Sequence, residues 1–210
     1  MAREAQHAAH GRPARIIAKM NALLDKNIIQ ALYRASQAGV EIDLIIRGMC
    51  SLRPGIPGVS ERIRVRSIVG RMLEHSRIFY FANSGQEEIY LSSADWMPRN
   101  LYERVEMMFP VRDPMVRQRV LHEILEVYLA DTLKARLLQP DGSYARPPRV
   151  PRSRGFEAQE FLIGMAEGKQ TLQALAPKER KPRAGKRQAA PVSAEAEAGK
   201  APEPKPESES

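Results

Sequence analysis

The sequence predicts an α/β fold, a mixed sheet flanked by helices, followed by a disordered C-terminal tail. Three observations predict it. A strand-helix-strand pattern runs from Ile16 to Ile46, and two short apolar runs flank a turn signal between Arg77 and Ser92. Beyond Leu175, Lys, Arg, Pro, Ala and Glu dominate and large apolar residues nearly vanish, a composition that cannot offset the entropy of ordering. The 210 residues, 43% of them hydrophobic, suffice for one domain of ordinary size plus a tail. The expected division is a polar leader over 1–12, a domain over 13–170 and a charged disordered tail over 171–210.

Ile16 to Leu24 is mostly apolar and reads as a strand, with Lys19 and Asn21 two apart and so on one face. Asp25 is a helix N-cap by type. Ile28, Leu32 and Ala35 recur at helical spacing, and Gly39 supplies the stop. Val40 to Ile46 then reads as a buried strand, which completes a β-α-β unit with parallel strands and a right-handed crossover. Cys50 to Ser60, with two prolines and two glycines, is a loop. Arg62, Arg64 and Arg66 alternate with Ile63 and Val65, so a strand here would carry three guanidinium groups on one side. Ser67 to Glu74 is expected to be a short helix. Arg77 to Phe81, the turn Asn83-Ser84-Gly85 and Ile89 to Ser92 form a hairpin. Val105 to Val111 reads as a further strand. Asp113-Pro114 caps a long amphipathic helix marked by Val116, Val120, Ile124 and Tyr128 and reaching about Leu133. Gln139 to Arg154 is expected to be loop, and Phe156 to Met165 a last short helix.

The formal charge of +8 raises the prior for a polyanionic partner without selecting one. Several site types are excluded. There is no glycine-rich loop ending in Gly-Lys-Ser/Thr and no G-x-G-x-x-G after a strand. The single cysteine, Cys50, rules out thiolate zinc clusters and intramolecular disulfides and fits a reducing compartment. His7 and His10 lie in a polar segment with no carboxylate shell. His122 reads as a surface histidine, Cys50 as a packing residue, and Trp96 as core. Arg47 directly follows the second strand, where open α/β sheets bind ligands. His75 precedes a strand, with Arg77 two residues on. A histidine can move a proton near neutrality, and an arginine can grip phosphate oxygens with its planar fork.

In order along the chain stand Lys19-Met20-Asn21, Leu44-Ile45-Ile46-Arg47-Gly48-Met49-Cys50, Ile63-Arg64-Val65-Arg66-Ser67-Ile68-Val69, Leu73-Glu74-His75-Ser76-Arg77, Tyr90-Leu91-Ser92-Ser93-Ala94-Asp95-Trp96-Met97 and Arg99-Asn100. From about Gly11 to Arg146 these strings resemble the C-terminal catalytic part of bacterial polyphosphate kinases. The resemblance implies a phospholipase D-like mixed sheet and reversible transfer of the terminal phosphate of ATP to polyphosphate through a phosphohistidine. It implies that Arg47 and His75 bind nucleotide and that His75 assists transfer without being phosphorylated. The phosphorylated histidine, and the site of the Mg2+ that the family uses, are expected outside this chain, as in a fragment. Lys19 and Arg66 are expected to contact polyphosphate, and Asp95 and Arg99 to pair beneath the site. ATP/ADP and inorganic polyphosphate are the expected substrates, with a homo-oligomer in the full enzyme. No run of residues is apolar enough to span a bilayer, and a cytoplasmic place, or one peripheral to the inner membrane, is expected.

Two other classes compete with this reading. A non-catalytic module binding nucleic acid or another polyanion rests on the net charge, on Arg62-Arg64-Arg66 and on the basic tail, but it lacks a basic recognition helix and paired strand aromatics. A phospholipase D-type phosphodiesterase requires H-x-K-x4-D, whereas Arg77 and Ala82 stand where lysine and aspartate would.

Overall fold

A computed structural model describes residues 1–148 and 155–172. The chain runs through α1 (Ala2–Ala9), β1 (Arg15–Met20), α2 (Lys26–Gln37), β2 (Glu41–Ile46), β3 (Ile63–Ile68), β4 (Arg77–Phe81), β5 (Glu88–Ser92), α3 (Pro98–Tyr102) and β6 (Met108–Pro110). It continues through α4 (Pro114–Arg119), a π-helical turn (Val120–Leu125), α5 (Glu126–Leu129), β7 (Ala135–Leu138), β8 (Tyr144–Ala145) and α6 (Ala158–Ala166). The strands form one mixed sheet in the order β6-β5-β4-β1-β2-β3-β7-β8. β1, β2 and β3 are parallel and every other pairing is antiparallel.

The alternation of side chains along the central strands divides the interior into two layers. Ile16, Ala18, Met20, Ile42, Leu44 and Ile46 face α1 and α2. Ile17, Ile45, Ile68, Ile78 and Tyr80 face the helical segment from α4 to α5, and α6. Both faces of the sheet are thus covered, which is why β1 and β2 read as near-continuous apolar runs rather than as alternation. Helix α2 begins where expected: the Asp25 carboxylate accepts from the Ile28 N–H at 2.9 Å. It ends at Ala38, and Gly39 leaves it with φ +101°, a conformation that favours glycine. Asp113 likewise caps α4 through the Val116 N–H.

Several expectations are corrected. Residues 1–12 are not a loose leader: Met1, Ala5 and Ala8 pack on the core. Glu4, 1% exposed, accepts from the backbone N–H groups of Arg15 and Asn83 at 3.1 and 2.8 Å. No helix forms over Ser67 to Glu74. β3 continues to Ile68, and the segment up to Ser76 is loop, because the exposed Val69 and Leu73 have no apolar surface to face. Only Met108–Pro110 of the expected strand 105–111 pairs. The long helix ends at Leu129 rather than Leu133. There the buried Asp131 accepts from the backbone of Lys134, Ala135 and Ala158, turning the chain into β7. β7 and β8 were not expected. Within the expected loop 139–154, residues 149–154 lie outside the described residues, as does the expected tail from residue 173 onward. Among the described residues no helix is long and apolar enough to cross a membrane.

Candidate functional site

Beyond the C-terminal ends of β1 and β2 the chain makes two close turns. Asn21 follows β1 and Arg47 follows β2. Gly48 donates its N–H to the Asn21 carbonyl at 2.8 Å, and a Cβ at Gly48 would lie 3.0 Å from that oxygen. The Arg47 carbonyl is held by the Ser67 hydroxyl at 3.1 Å. The Arg47 side chain donates from Nε to Asn21 Oδ1 at 3.2 Å, while no hydrogen bond engages its Nη atoms among the described residues. A guanidinium held at Nε with both Nη groups free still offers a fork suited to phosphate oxygens. A cleft of about 580 Å³, lined in part by Gly48, Met49, Cys50 and Tyr144, opens beside it.

Asp95, from the segment after β5, is the hub of this region. One carboxylate oxygen accepts from the Asn21 N–H at 2.7 Å and from Arg77 Nε at 3.2 Å, and the other from Arg77 Nη2 at 3.0 Å. Burial pushes this carboxyl up, but the hydrogen bonds from Arg77 and Asn21 outweigh it and hold the group below its ordinary range. Arg77 in turn lies against the His75 ring, with Nη1 3.0 Å from Nδ1 and Nη2 3.4 Å from Nε2. A guanidinium can only donate, so a ring nitrogen that bonds to it does so as an acceptor. Asp95 does not pair with Arg99, as the sequence suggested; Arg99 is exposed on α3. Arg47 and His75 therefore belong to one hydrogen-bonded chain, Arg47-Asn21-Asp95-Arg77-His75, drawn from four separate segments.

The other candidates are engaged internally. The Lys19 ammonium, on a side chain 5% exposed, lies 2.8 Å from Glu74 Oε2, donates to Ser76 Oγ at 2.9 Å and sits 4.7 Å from the centre of the Tyr128 ring. Arg66 donates to the carbonyls of Tyr128 and Leu129 at the end of α5, and burial lowers its pKa. Arg64 pairs with Asp43 and Glu41, and Arg62 with Glu41. The basic row is real, but its charges meet carboxylates on β2 and helix-end carbonyls. Trp96 is core, stacked on Phe79 at 4.7 Å. His122 bridges Glu126 and Gln118 on the helix surface. Cys50 is half-buried, and burial pushes its thiol up. Among the described residues no three His, Cys, Asp or Glu side chains gather as a metal site would require.

Sequence reasoning missed the roles of Asp95 with Arg77, of Glu74 and of Gln159. The string Ser-Ala-Asp-Trp was visible, but nothing local indicates that Asp95 reaches Arg77, 18 residues earlier.

Comparison with known proteins agrees with the fold. A family model described as "Polyphosphate kinase C-terminal domain 2" matches residues 1–159. A polyphosphate kinase of Thermosynechococcus vestitus is 62% identical over 149 residues, 71% of this chain and 20% of that protein. The crystal structure of polyphosphate kinase from Porphyromonas gingivalis superposes with a TM-score of 0.75 at 44% identity, covering 80% of this chain and 26% of that one. Nuc of Salmonella typhimurium, a phospholipase D family member, aligns with a TM-score of 0.45 at 14% identity over 64% of this chain and 88% of its own. The chain spans about a fifth of the length of the curated relatives it matches.

Proposed function

We propose a function that starts from the family to which this chain belongs, the polyphosphate kinase C-terminal domain 2: it is the part of an ATP-polyphosphate phosphotransferase that holds phosphate groups through Arg47 and His75. The observation that carries the reading is the pair of groups at the ends of the Asp95 network. At one end the Arg47 fork is braced at Nε and, among the described residues, open at Nη. At the other, His75 is exposed, with Arg77 against Nδ1.

Phosphoryl transfer asks mainly for positioning and for cations on the oxygens that share the developing charge. Arg47 supplies a bidentate cation whose orientation Asn21 fixes. His75 presents an exposed imidazole, a group that can hydrogen-bond a phosphate oxygen and exchange a proton with a leaving or entering oxygen. The reading assigns this chain no covalent step and places the Mg2+ site, like the phosphorylated histidine, in the rest of the enzyme. Lys19 and Arg66 stay out of the contact set because their charged ends are already hydrogen-bonded inside the domain. Transfer between ATP and polyphosphate belongs to the whole enzyme of which this chain is the counterpart of one part.

The test is calorimetric titration of the 210-residue chain with ATP and with polyphosphate. Arg47→Ala is expected to weaken ATP about tenfold or more, the worth of a hydrogen bond to a charged group. His75→Ala is expected to weaken it severalfold, and Arg64→Ala to leave it within about twofold, as expected of an exposed ion pair. Unchanged affinity in both Arg47→Ala and His75→Ala would remove the assignment, and phosphohistidine formation by this chain alone would show that it does carry the covalent step.

A further inference from the structure

The segment between β3 and β4 carries His75 and has no regular structure, yet three of its residues, Met72, Glu74 and Ser76, are held by side chains from elsewhere in the fold. Gln159, on α6 and 5% exposed, accepts from the Met72 N–H at 2.8 Å through its amide oxygen. Its amide nitrogen donates to the Met72 carbonyl at 2.9 Å and to Glu74 Oε1 at 2.6 Å. The amide thereby spends both donors and its acceptor on this one segment. Gly70 lies so near that a Cβ there would stand 2.2 Å from Gln159 Oε1. On the other side, Lys19 grips Glu74 and Ser76, the two chain neighbours of His75.

We propose that Lys19, Glu74 and Gln159 form a clamp that fixes where His75 presents its ring, and that they are positioning residues for its contact with the nucleotide. The inference rests on the reading that His75 touches nucleotide. Both flanks of His75 are drawn inward onto one buried ammonium, so the residue between them projects outward toward Arg77. Glu74 is the joint of the clamp, since one oxygen meets Lys19 and the other Gln159. Helix α6, remote in sequence, thereby sets the geometry of the segment that carries His75. Preorganisation of this kind spares the ordering cost of the loop at the moment of binding.

A double-mutant cycle on the full chain with ATP tests the proposal. Gln159→Leu is expected to weaken ATP about fivefold in the parent and less than twofold in a His75→Ala background, because residues in one network do not act additively. An equal loss in both backgrounds overturns the clamp. If His75→Ala itself leaves ATP affinity unchanged, the nucleotide assignment fails instead, and the clamp is judged by a measurement that needs no substitution. In the unsubstituted chain the Met72 amide is expected to exchange with solvent at least about a hundredfold more slowly than a free amide. It should keep that protection in His75→Ala and lose it in Gln159→Leu. Free exchange at Met72 in the unsubstituted chain overturns the proposal whether or not Gln159→Leu folds.

Discussion

Replacing Asp95 with asparagine tests whether one carboxylate holds the site together. The Asp95 and Arg77 side chains are 9% and 10% exposed, and they meet at 3.0 Å. Asparagine keeps an oxygen for the Asn21 N–H but presents an amide, or a neutral oxygen, to a guanidinium that has only donors. Breaking a buried pair by removing one charge costs about 3–5 kcal/mol. Retaining the acceptor for Asn21 returns about 1 kcal/mol of that, which leaves about 3 kcal/mol. For a domain of this size the midpoint of thermal unfolding should fall by roughly 6–12 °C. Circular dichroism with urea and with heat measures both values. Arg119→Ala, which breaks an i,i+4 pair exposed at 70% and 27%, is the reference and should cost at most about 0.5 kcal/mol. An Asp95→Asn loss no larger than that of Arg119→Ala would refute the view that Asp95 is a buried hub.

Two further outcomes follow from the same geometry. The Asp95 carboxyl is held below its ordinary range, so its stabilisation is complete above the unfolded value of about 3.9 and is lost as pH falls through the lower, folded value. Urea midpoints of the parent should therefore drop on acidification below about pH 4, and those of Asp95→Asn should drop less. Parallel curves would remove Asp95 from the acid response. Glu4→Ala strands the backbone N–H groups of Arg15 and Asn83 at the start of β1 and the end of β4. It should cost about 2 kcal/mol, measured by urea unfolding, whereas a dispensable leader would tolerate it.

How much of this was legible in the sequence depended on the range of the interaction. The β1-α2-β2 unit was read correctly because its signals are local: the Asp25 cap, the apolar spacing of Ile28, Leu32 and Ala35, and Gly39. Arg47 could be placed at a strand end for the same reason. The segment 67–74 was misread because Ile68, Val69 and Leu73 supplied apolar residues, the last two at helical spacing, while β7 pairs with β3 and carries it through Ile68. That pairing joins Ser67 to Arg136, a partner no local pattern announces. The leader was misread because alanine-rich polar sequence is also good helix, and the decisive contacts of Glu4 lie at Arg15 and Asn83. In the site, chemistry identified the end groups and missed the links. Asp95 was paired with Arg99, four residues away and a reasonable helix-range partner, because nothing in sequence brings Arg77 nearer.

The balance of charge shows why the links matter for recognition. A net charge of +8 suggests a surface open to any polyanion, but much of the cationic chemistry around the sheet is spent. Arg15 and Arg64 share Asp43, Arg62 meets Glu41, Arg66 meets the end of α5, Arg77 meets Asp95, and Lys19 meets Glu74. A paired charge presents only a dipole to a ligand, and solvent ions screen what remains beyond about 8 Å. Arg47 differs from the carboxylate-paired cations: among the described residues its partner is the neutral Asn21 amide, which orients the guanidinium without cancelling its charge. Asn21 is in turn fixed by Asp95, so the carboxylate steers Arg47 from one residue away instead of neutralising it. A carboxylate in place of Asn21 would hold the fork as well and leave it unfit for phosphate. On the proposed reading, preference for a phosphate chain over an undirected polyanion rests on how Arg47 is oriented without a carboxylate partner, rather than on the sum of charges.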